Sequence, residues 1–321
     1  MNVVVTGATG FVGGHLIDHL LAEGDQVIGL SRSGVWPEPL AYLGRHVQLQ
    51  PCDLATVAEG DLAEFLSRTQ PDAVYHLAAQ SNPQQSVANP RETWGQNLGG
   101  TLNLLEAVRR TQLDPCIVLV GSGVSYGNPA PEHIPVRENC PLLPNNPYAA
   151  SKAASDLLGI QHHLAHDAKI LIARPFNHAG PRQSDRYVLS SLARQVAEVE
   201  LGHRATVEHG NLAVVRDFTD VRDIVHAYRL LVLQGHAGTV YNIGTGRDLS
   251  LQQMLEILVQ HSRRPIPCHS DPARFRGVDL PRLLADATLL YTHTGWKPQF
   301  STDSTLADML QYWRDQLQNT A

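Results

Sequence analysis

The chain is short of cysteine, of net charge and of long apolar runs, and each shortage closes a class of explanation. Its four cysteines, Cys52, Cys116, Cys140 and Cys268, stand far apart with no CxxC pair. That leaves no disulfide framework and no zinc ribbon, and points to a reducing cytoplasm. A formal net charge of -6 and a pI near 6.2 supply no basic surface of the kind a nucleic-acid binder needs. No apolar run approaches the ~18 residues a membrane span requires, and no cationic start precedes an apolar segment at the N-terminus. The expectation is a soluble, unprocessed cytoplasmic protein with neither nucleic acid nor membrane as partner. There is also no internal repeat and no low-complexity tract. At 321 residues the chain can bury one large core or two moderate ones.

What is present is alternation. An apolar run at 2–6 ends in glycine, and helical spacing follows over 11–23, stopped by Gly24. Further strands are expected at 26–30, 47–49, 73–77, 116–120 and 169–173, and helices at 61–68, 94–110 and 149–166. Strands apolar throughout, such as 116–120, imply burial on both faces and hence a parallel sheet covered by helices. After residue 174 the alternation weakens, with helices expected at 188–201, 221–233, 251–260 and 304–316 and a strand at 240–243. The pattern predicts an α/β fold, a Rossmann-type doubly wound parallel sheet over 1–174 to which 216–243 returns. A smaller substrate-binding part, 175–215 and 244–321, packs over the carboxyl edge of that sheet.

Two local patterns carry chemistry. In Thr6-Gly7-Ala8-Thr9-Gly10-Phe11-Val12-Gly13, the glycines sit between a strand and a helix, where backbone can approach a pyrophosphate resting at the helix N-terminus. An acidic residue about 20 positions further on would favour NAD, but Ser31 and Arg32 stand there. A hydroxyl and a guanidinium suit a 2'-phosphate, so NADP(H) is favoured over NAD(H). Asp53 either accepts a hydrogen bond from adenine or caps the following turn. The second pattern is Tyr148-Ala-Ala-Ser-Lys152. Four residues apart on a helix, the phenol and the ammonium share a face. The cation favours the phenolate of a group whose ordinary pKa is ~10, making it a usable acid/base.

Taken in order, the glycine turn, Asp53-Leu54, His76-Leu77-Ala78-Ala79, Asn97, Ser122 with Tyr126-Gly127, Tyr148 with Lys152, and Arg174-Pro175-Phe176-Asn177 resemble the extended short-chain dehydrogenase/reductase family. The resemblance covers nearly the whole chain and implies an NAD(P)-dependent enzyme acting on a nucleotide sugar. It implies that Ser122 holds the substrate oxygen and that Tyr148 is the acid/base. Lys152 would hold the nicotinamide ribose and lower the Tyr148 pKa. Cofactor contacts implied are Gly7, Gly10, Phe11, Val12, Gly13, Ser31, Arg32, Asp53, Leu54, Leu77, Ala78, Ala79, Asn97, Tyr148, Lys152, Pro175 and Phe176. The substrate contacts are Ser81, Ser122, Gly123, Tyr148, Asn177, Val188, Arg216 and either Arg274 or Arg276.

Nucleotide-sugar 4,6-dehydratases of the family carry an acid two positions past the serine or threonine. Here that position is Val124, which cannot move a proton, so dehydration is not expected. Segments 174–181, 210–223, 271–276 and 294–298 resemble the GDP-4-dehydro-6-deoxy-D-mannose reductases, which make GDP-D-rhamnose. That resemblance places the diphosphate on Asn177 and Arg216, where a guanidinium fork suits phosphate oxygens. Arg182 departs from it, standing where the family shows glycine, and would reshape the loop or add a phosphate contact. Two other readings stay open: a 4-epimerase with tightly held NAD, and a non-catalytic NADP-sensing regulator. Helices 94–110 and 149–166 resemble the pair that forms homodimers in the family. No metal is expected: His162 and His166 share a helical face, but nothing completes a ligand set.

Overall fold

The computed structural model describes residues 1–275 and 282–319. Its strands are β1 (Asn2–Thr6), β2 (Gln26–Ser31), β3 (Gln48–Pro51), β4 (Ala73–His76), β5 (Cys116–Val120), β6 (Ile170–Pro175), β7 (Asn177–Ala179), β8 (Val207–His209), β9 (Val215–Arg216), β10 (Phe218–Asp220), β11 (Val240–Ile243), β12 (Leu249–Ser250), β13 (Cys268–Ser270) and β14 (Arg282–Leu283). The helices are α1 (Phe11–Ala22), α2 (Glu59–Thr69), α3 (Pro83–Ala88), α4 (Pro90–Trp94), α5 (Gly100–Thr111), α6 (Pro147–His166), α7 (Val188–Leu201), α8 (Val221–Gln234), α9 (Leu251–Gln260), α10 (Thr288–Thr294) and α11 (Thr302–Asn319).

Seven strands form one parallel sheet in the order β11-β6-β5-β4-β1-β2-β3. The order reverses between β1 and β4, so a crevice opens beyond their carboxyl ends, where ligands bind in such sheets. Val4, Val74, Ile117 and Ile170 bury one face together with Leu62 and Leu104 from α2 and α5. Val3, Val5, Tyr75 and Val118 bury the other against Leu16, Leu20 and Ile224 from α1 and α8. Each such apolar side chain contributes about 1.5–3 kcal/mol when taken from water.

A second core lies outside the sheet. In α7 Leu189, Leu192, Ala193 and Val196 follow helical spacing and pack with Met254 and Leu258 of α9 and Met309 of α11. Two- and three-residue strands stitch this part together: β10 with β7, β13 with β8, and β9 between β12 and β14.

Three expected boundaries are corrected. The helix expected over 94–110 is three pieces, because α4 starts at Pro90, whose missing N–H suits a first turn, and a π-helical turn, Gly95–Gly99, precedes α5. The 47–49 strand runs instead over Gln48–Pro51, and the last helix extends to Thr302–Asn319. Strand β6 continues through Pro175, which is tolerated at its last position because the pairing with β5 has already ended at Ala173.

Candidate active site

At the crevice, Gly7 has φ +69, and a Cβ there would lie 2.8 Å from Ala78 N. A Cβ on Gly13 would meet Gly7 O at 2.3 Å. Only glycine lets α1 start this close to β1 and β4. Gly10 caps α1 with no side-chain hydrogen bond, and no acidic residue sits in the first turn. The amides of Phe11, Val12 and Gly13 and the positive end of the helix dipole therefore face the crevice, a donor set that fits a dinucleotide pyrophosphate. Leu77, Ala78 and Ala79 follow β4 along the same edge, half-buried.

Further out, Ser31 is buried and its Oγ accepts the Gly34 N–H at 3.0 Å, while Arg32 is exposed. Ser31 thus shapes the loop and Arg32 carries the charge. Asp53 Oδ1 accepts the Ala55 N–H at 3.0 Å, which caps the following turn. Leu54 is 6% exposed in the sheet core, so its side chain is structural. Pro175 ends β6, and the Phe176 ring, 4% exposed, packs with Tyr126, Val136 and Leu283. Gly123 is buried, with space for nothing larger, since a Cβ would sit 2.7 Å from that ring. The Phe176 and Gly123 side-chain positions are therefore committed to packing, and only their backbones can face a ligand.

A buried chain of hydrogen bonds fixes the floor of the site. Thr101 Oγ1 donates to Asn97 O at 2.6 Å, so it must accept from His76 Nε2 at 3.0 Å. His76 is then the Nε2–H tautomer, and its Nδ1 accepts from Thr6 Oγ1 at 2.9 Å, which in turn accepts the Ala78 N–H at 3.1 Å. Burial lowers the His76 pKa to about 3, so the ring is neutral and structural. Asn97, in the π turn, accepts the Gln80 N–H at 2.7 Å and donates Nδ2 to Gln80 O at 3.1 Å and to Ser151 Oγ at 2.9 Å. It clamps the loop after β4 to the helix bearing Tyr148 and Lys152. π turns recur at functional sites.

Lys152, 6% exposed, donates Nζ to Val120 O at 2.7 Å. Burial lowers its pKa to about 8 against the pull of Asp156. Tyr148 is half-buried, and burial pushes its phenol up to about 12, opposed by a hydrogen bond with Ser122. Tyr187 and Asp156 add to the rise. The expected depression by Lys152 is not among the causes acting on Tyr148. The phenol is therefore protonated near neutral pH. Ser122 caps its own turn, accepting the Val124 N–H at 3.4 Å, and Val124 occupies the place an acid would need. Beneath them, Asp156 and Arg174 form a buried ion pair at 2.8 Å, and Arg174 Nη1 donates to Tyr126 Oη at 2.9 Å.

On the substrate side, Asn177 lies in β7, Val188 begins α7, and Arg216 is in β9 with Nη1 donating to Val215 O at 2.8 Å. The neighbouring Asp217 is buried and accepts from Thr245, Gly246 and Ala285, which fixes the strand that carries Arg216. Arg274 is already paired, Nη2 with Glu208 at 2.8 Å and Nε with Asp271 at 3.2 Å. Those two carboxylates compete with a phosphate for it. Arg276 lies outside the described residues. Ser81 is exposed, its Oγ 3.2 Å from Tyr187 Oη. Both line a cavity of about 280 Å3 with Arg32, Gln80, Gln96 and Arg186.

Sequence reasoning missed the Gln80, Ser151 and Thr101 partners of Asn97, and it missed Arg186. The only signal was hydroxyl-bearing residues at turn spacing, which chains carry everywhere. Among the described residues no group of three or more His, Cys, Asp or Glu could hold a metal, and no helix is long and apolar enough to cross a membrane.

Residues 4–309 match the family model described as GDP-mannose 4,6 dehydratase. A GDP-6-deoxy-D-mannose reductase from Pseudomonas aeruginosa is 36% identical over 320 residues, 98% of this chain and 98% of that protein. The solved structure of RMD from the same organism, complexed with NADPH, has a TM-score of 0.83 at 31% identity, covering 98% of this chain and 100% of that one. UDP-glucose 4-epimerase from Thermotoga maritima, solved with UDP-glucose, has a TM-score of 0.88 at 26% identity, over 99% of this chain and 100% of its own.

Proposed function

The chain belongs to the GDP-mannose 4,6-dehydratase-like family of extended short-chain dehydrogenases/reductases and is an NAD(P)-dependent oxidoreductase acting on a nucleotide sugar, and we propose that it reduces the C4 ketone of GDP-4-dehydro-6-deoxy-D-mannose to give GDP-D-rhamnose, with NADPH as reductant. The observation that carries this reading is the protonated Tyr148 hydrogen-bonded to Ser122, with Val124 where dehydration would need an acid. The likeness to the Pseudomonas reductase supports the choice of sugar nucleotide.

A bound reduced nicotinamide supplies the hydride. Lys152, on α6 with its ammonium against the end of β5, holds its ribose. Ser122 and Tyr148 aim two hydroxyls at the C4 oxygen, and their donation strengthens as that oxygen gains alkoxide character. Tyr148 then gives its proton to it. Asn97 keeps helix α6 in register with the loop after β4, so Tyr148 meets the ketone at a fixed height. Asn177 and Arg216 bind the diphosphate. Arg32, an exposed guanidinium following β2, supports NADP(H) over NAD(H), since its fork suits a 2'-phosphate. Residues 1–174, with the returning 216–243, serve as the cofactor-binding part, and 175–215 with 244–321 as the sugar-nucleotide part.

Mixing purified protein with NADPH and GDP-4-dehydro-6-deoxymannose should deplete the reduced-nicotinamide absorbance; no depletion beside an active control enzyme overturns the reading. The likeness to the Thermotoga epimerase favours one second reading, a 4-epimerase. Copurified NAD together with sugar interconversion that needs no added reductant would establish it. We also propose a cytoplasmic homodimer through 94–110 and 149–166, where Leu102, Leu157 and Leu164 are exposed by 42%, 61% and 78%. A monomer mass by light scattering at micromolar concentration counts against it.

A further inference from the structure

We infer that Arg182 is a positioning residue that pins one wall of the sugar-nucleotide pocket to the cofactor-binding half of the protein. This rests on the reading of the crevice given above. Gly180-Pro181-Arg182-Gln183 is a turn closed by the Gln183 N–H donating to Gly180 O at 3.3 Å. Proline in its second place and φ +72 at Arg182 in its third give the pattern of a type II turn, whose third residue is ordinarily glycine. A side chain in that left-handed conformation is strained, and such strain persists where the surroundings hold it in place.

The surroundings here are specific. Arg182 Nη2 donates to Asp18 Oδ2 at 2.8 Å and Nη1 to Tyr42 Oη at 2.7 Å, and Tyr42 donates to the same carboxylate at 2.7 Å. His15 Nε2 donates to Pro181 O at 2.8 Å. With that hydrogen committed, the 3.4 Å approach of Arg182 Nε to His15 Nε2 is a contact and not a hydrogen bond. Burial and the Arg182 charge keep the imidazole neutral, its pKa lowered to about 4. Asp18 and His15 belong to α1, and Tyr42 to the 3-10 segment Glu38–Arg45. The turn is therefore fastened to two elements on the cofactor side.

What hangs from the turn is the pocket wall. Gln183 O accepts Ser190 Oγ at 2.6 Å and Gln183 Nε2 donates to His178 O at 3.0 Å, which carries the fixed geometry into α7. Gln183 Oε1 is buried and without a partner among the described residues, an acceptor left over for a ligand or water. Ser184, Arg186 and Tyr187 then face Arg32 and Ser81 across the 280 Å3 cavity. A glycine at 182 would relax the turn and release its anchor at once, so the wall would have to be ordered when substrate binds.

The test is titration of the full-length protein with GDP at saturating NADP, with steady-state kinetics alongside. Arg182→Gly should weaken GDP binding and raise the sugar-nucleotide KM about tenfold, leave kcat within about twofold, and keep Tm within about 3 °C. Arg182→Lys, which keeps the charge but loses the fork, should recover part of the affinity. Asp18→Asn should weaken binding alone, yet add nothing in the Arg182→Gly background, as coupled residues do. GDP binding equal in wild type and Arg182→Gly, or a fall in kcat with KM unchanged, overturns the inference. A wild type that binds none of GDP, UDP, dTDP or CDP overturns the pocket reading itself, and is thereby told apart from a failure of Arg182 alone.

Discussion

Asn97 and Arg274 are held in opposite ways. Asn97 is 1% exposed, and its amide exchanges hydrogen bonds with Gln80 and reaches Ser151. Arg274 is exposed by 40%, and its partners Glu208 and Asp271 are also open to water. Arg282 and Asp248 make a similar surface pair. Buried, mutually satisfied groups allow one arrangement, because any other leaves a polar atom stranded. Solvated ion pairs exchange partners at little cost. The Asn97 end of this comparison is thus preformed, while the Arg274 end is adaptable.

The hardest blow to the preformed end is Tyr148→Phe. It should lower kcat about 10²–10⁴-fold, the worth of a positioned acid, with dinucleotide affinity by fluorescence titration unchanged; a loss smaller than tenfold would show that another group supplies the proton. Asn97→Ala should cost about 2–4 kcal/mol in urea unfolding, because it strands buried Gln80 and Ser151 groups. A cost near that of a surface residue would erase the contrast.

Proton linkage sharpens it further. Lys152 is charged below its pKa of about 8, so dinucleotide affinity should be flat below pH 8 and fall as pH rises above it. His76 and His15, lowered to about 3 and about 4, bind protons more readily when unfolded. Their contribution to stability is complete above the ordinary histidine pKa of ~6.5 and is lost as pH falls toward the folded values. Urea midpoints that rise on acidification would contradict this. The smallest effect is expected at the adaptable end: Arg274→Ala should change stability by less than about 1 kcal/mol and act, if at all, on KM.

The parts that the sequence made legible are those with a period or a compulsory residue. Helices over 188–201 and 251–260 and the strand over 240–243 fall where spacing puts them. Gly7 and Gly13 announce themselves because nothing else fits. Strands such as Val215–Arg216 are too short to have a period, and the π turn around Asn97 reads as ordinary helix because one extra residue scarcely disturbs the apolar pattern. Tyr148 and Lys152 were visible as a pair, but the direction of the Tyr148 shift was not, since burial is a property of the folded crevice. Arg182 stood out only as an odd residue; its role depends on Asp18 and Tyr42, far away in the chain.

The position of β11 at the edge of the main sheet has a consequence for how the molecule comes into being. Its partner β6 ends at Pro175, and β11 begins at Val240, so the sheet cannot be completed until the whole intervening segment has been made. A nascent chain that has just emerged through β6 carries a bare strand edge, the kind that recruits other chains. Contacts this distant in sequence also slow folding. The main sheet is therefore first to begin but stays open until residue 243, and cutting the chain after residue 174 would leave β6 unpaired on that side, a template for aggregation instead of a free-standing unit.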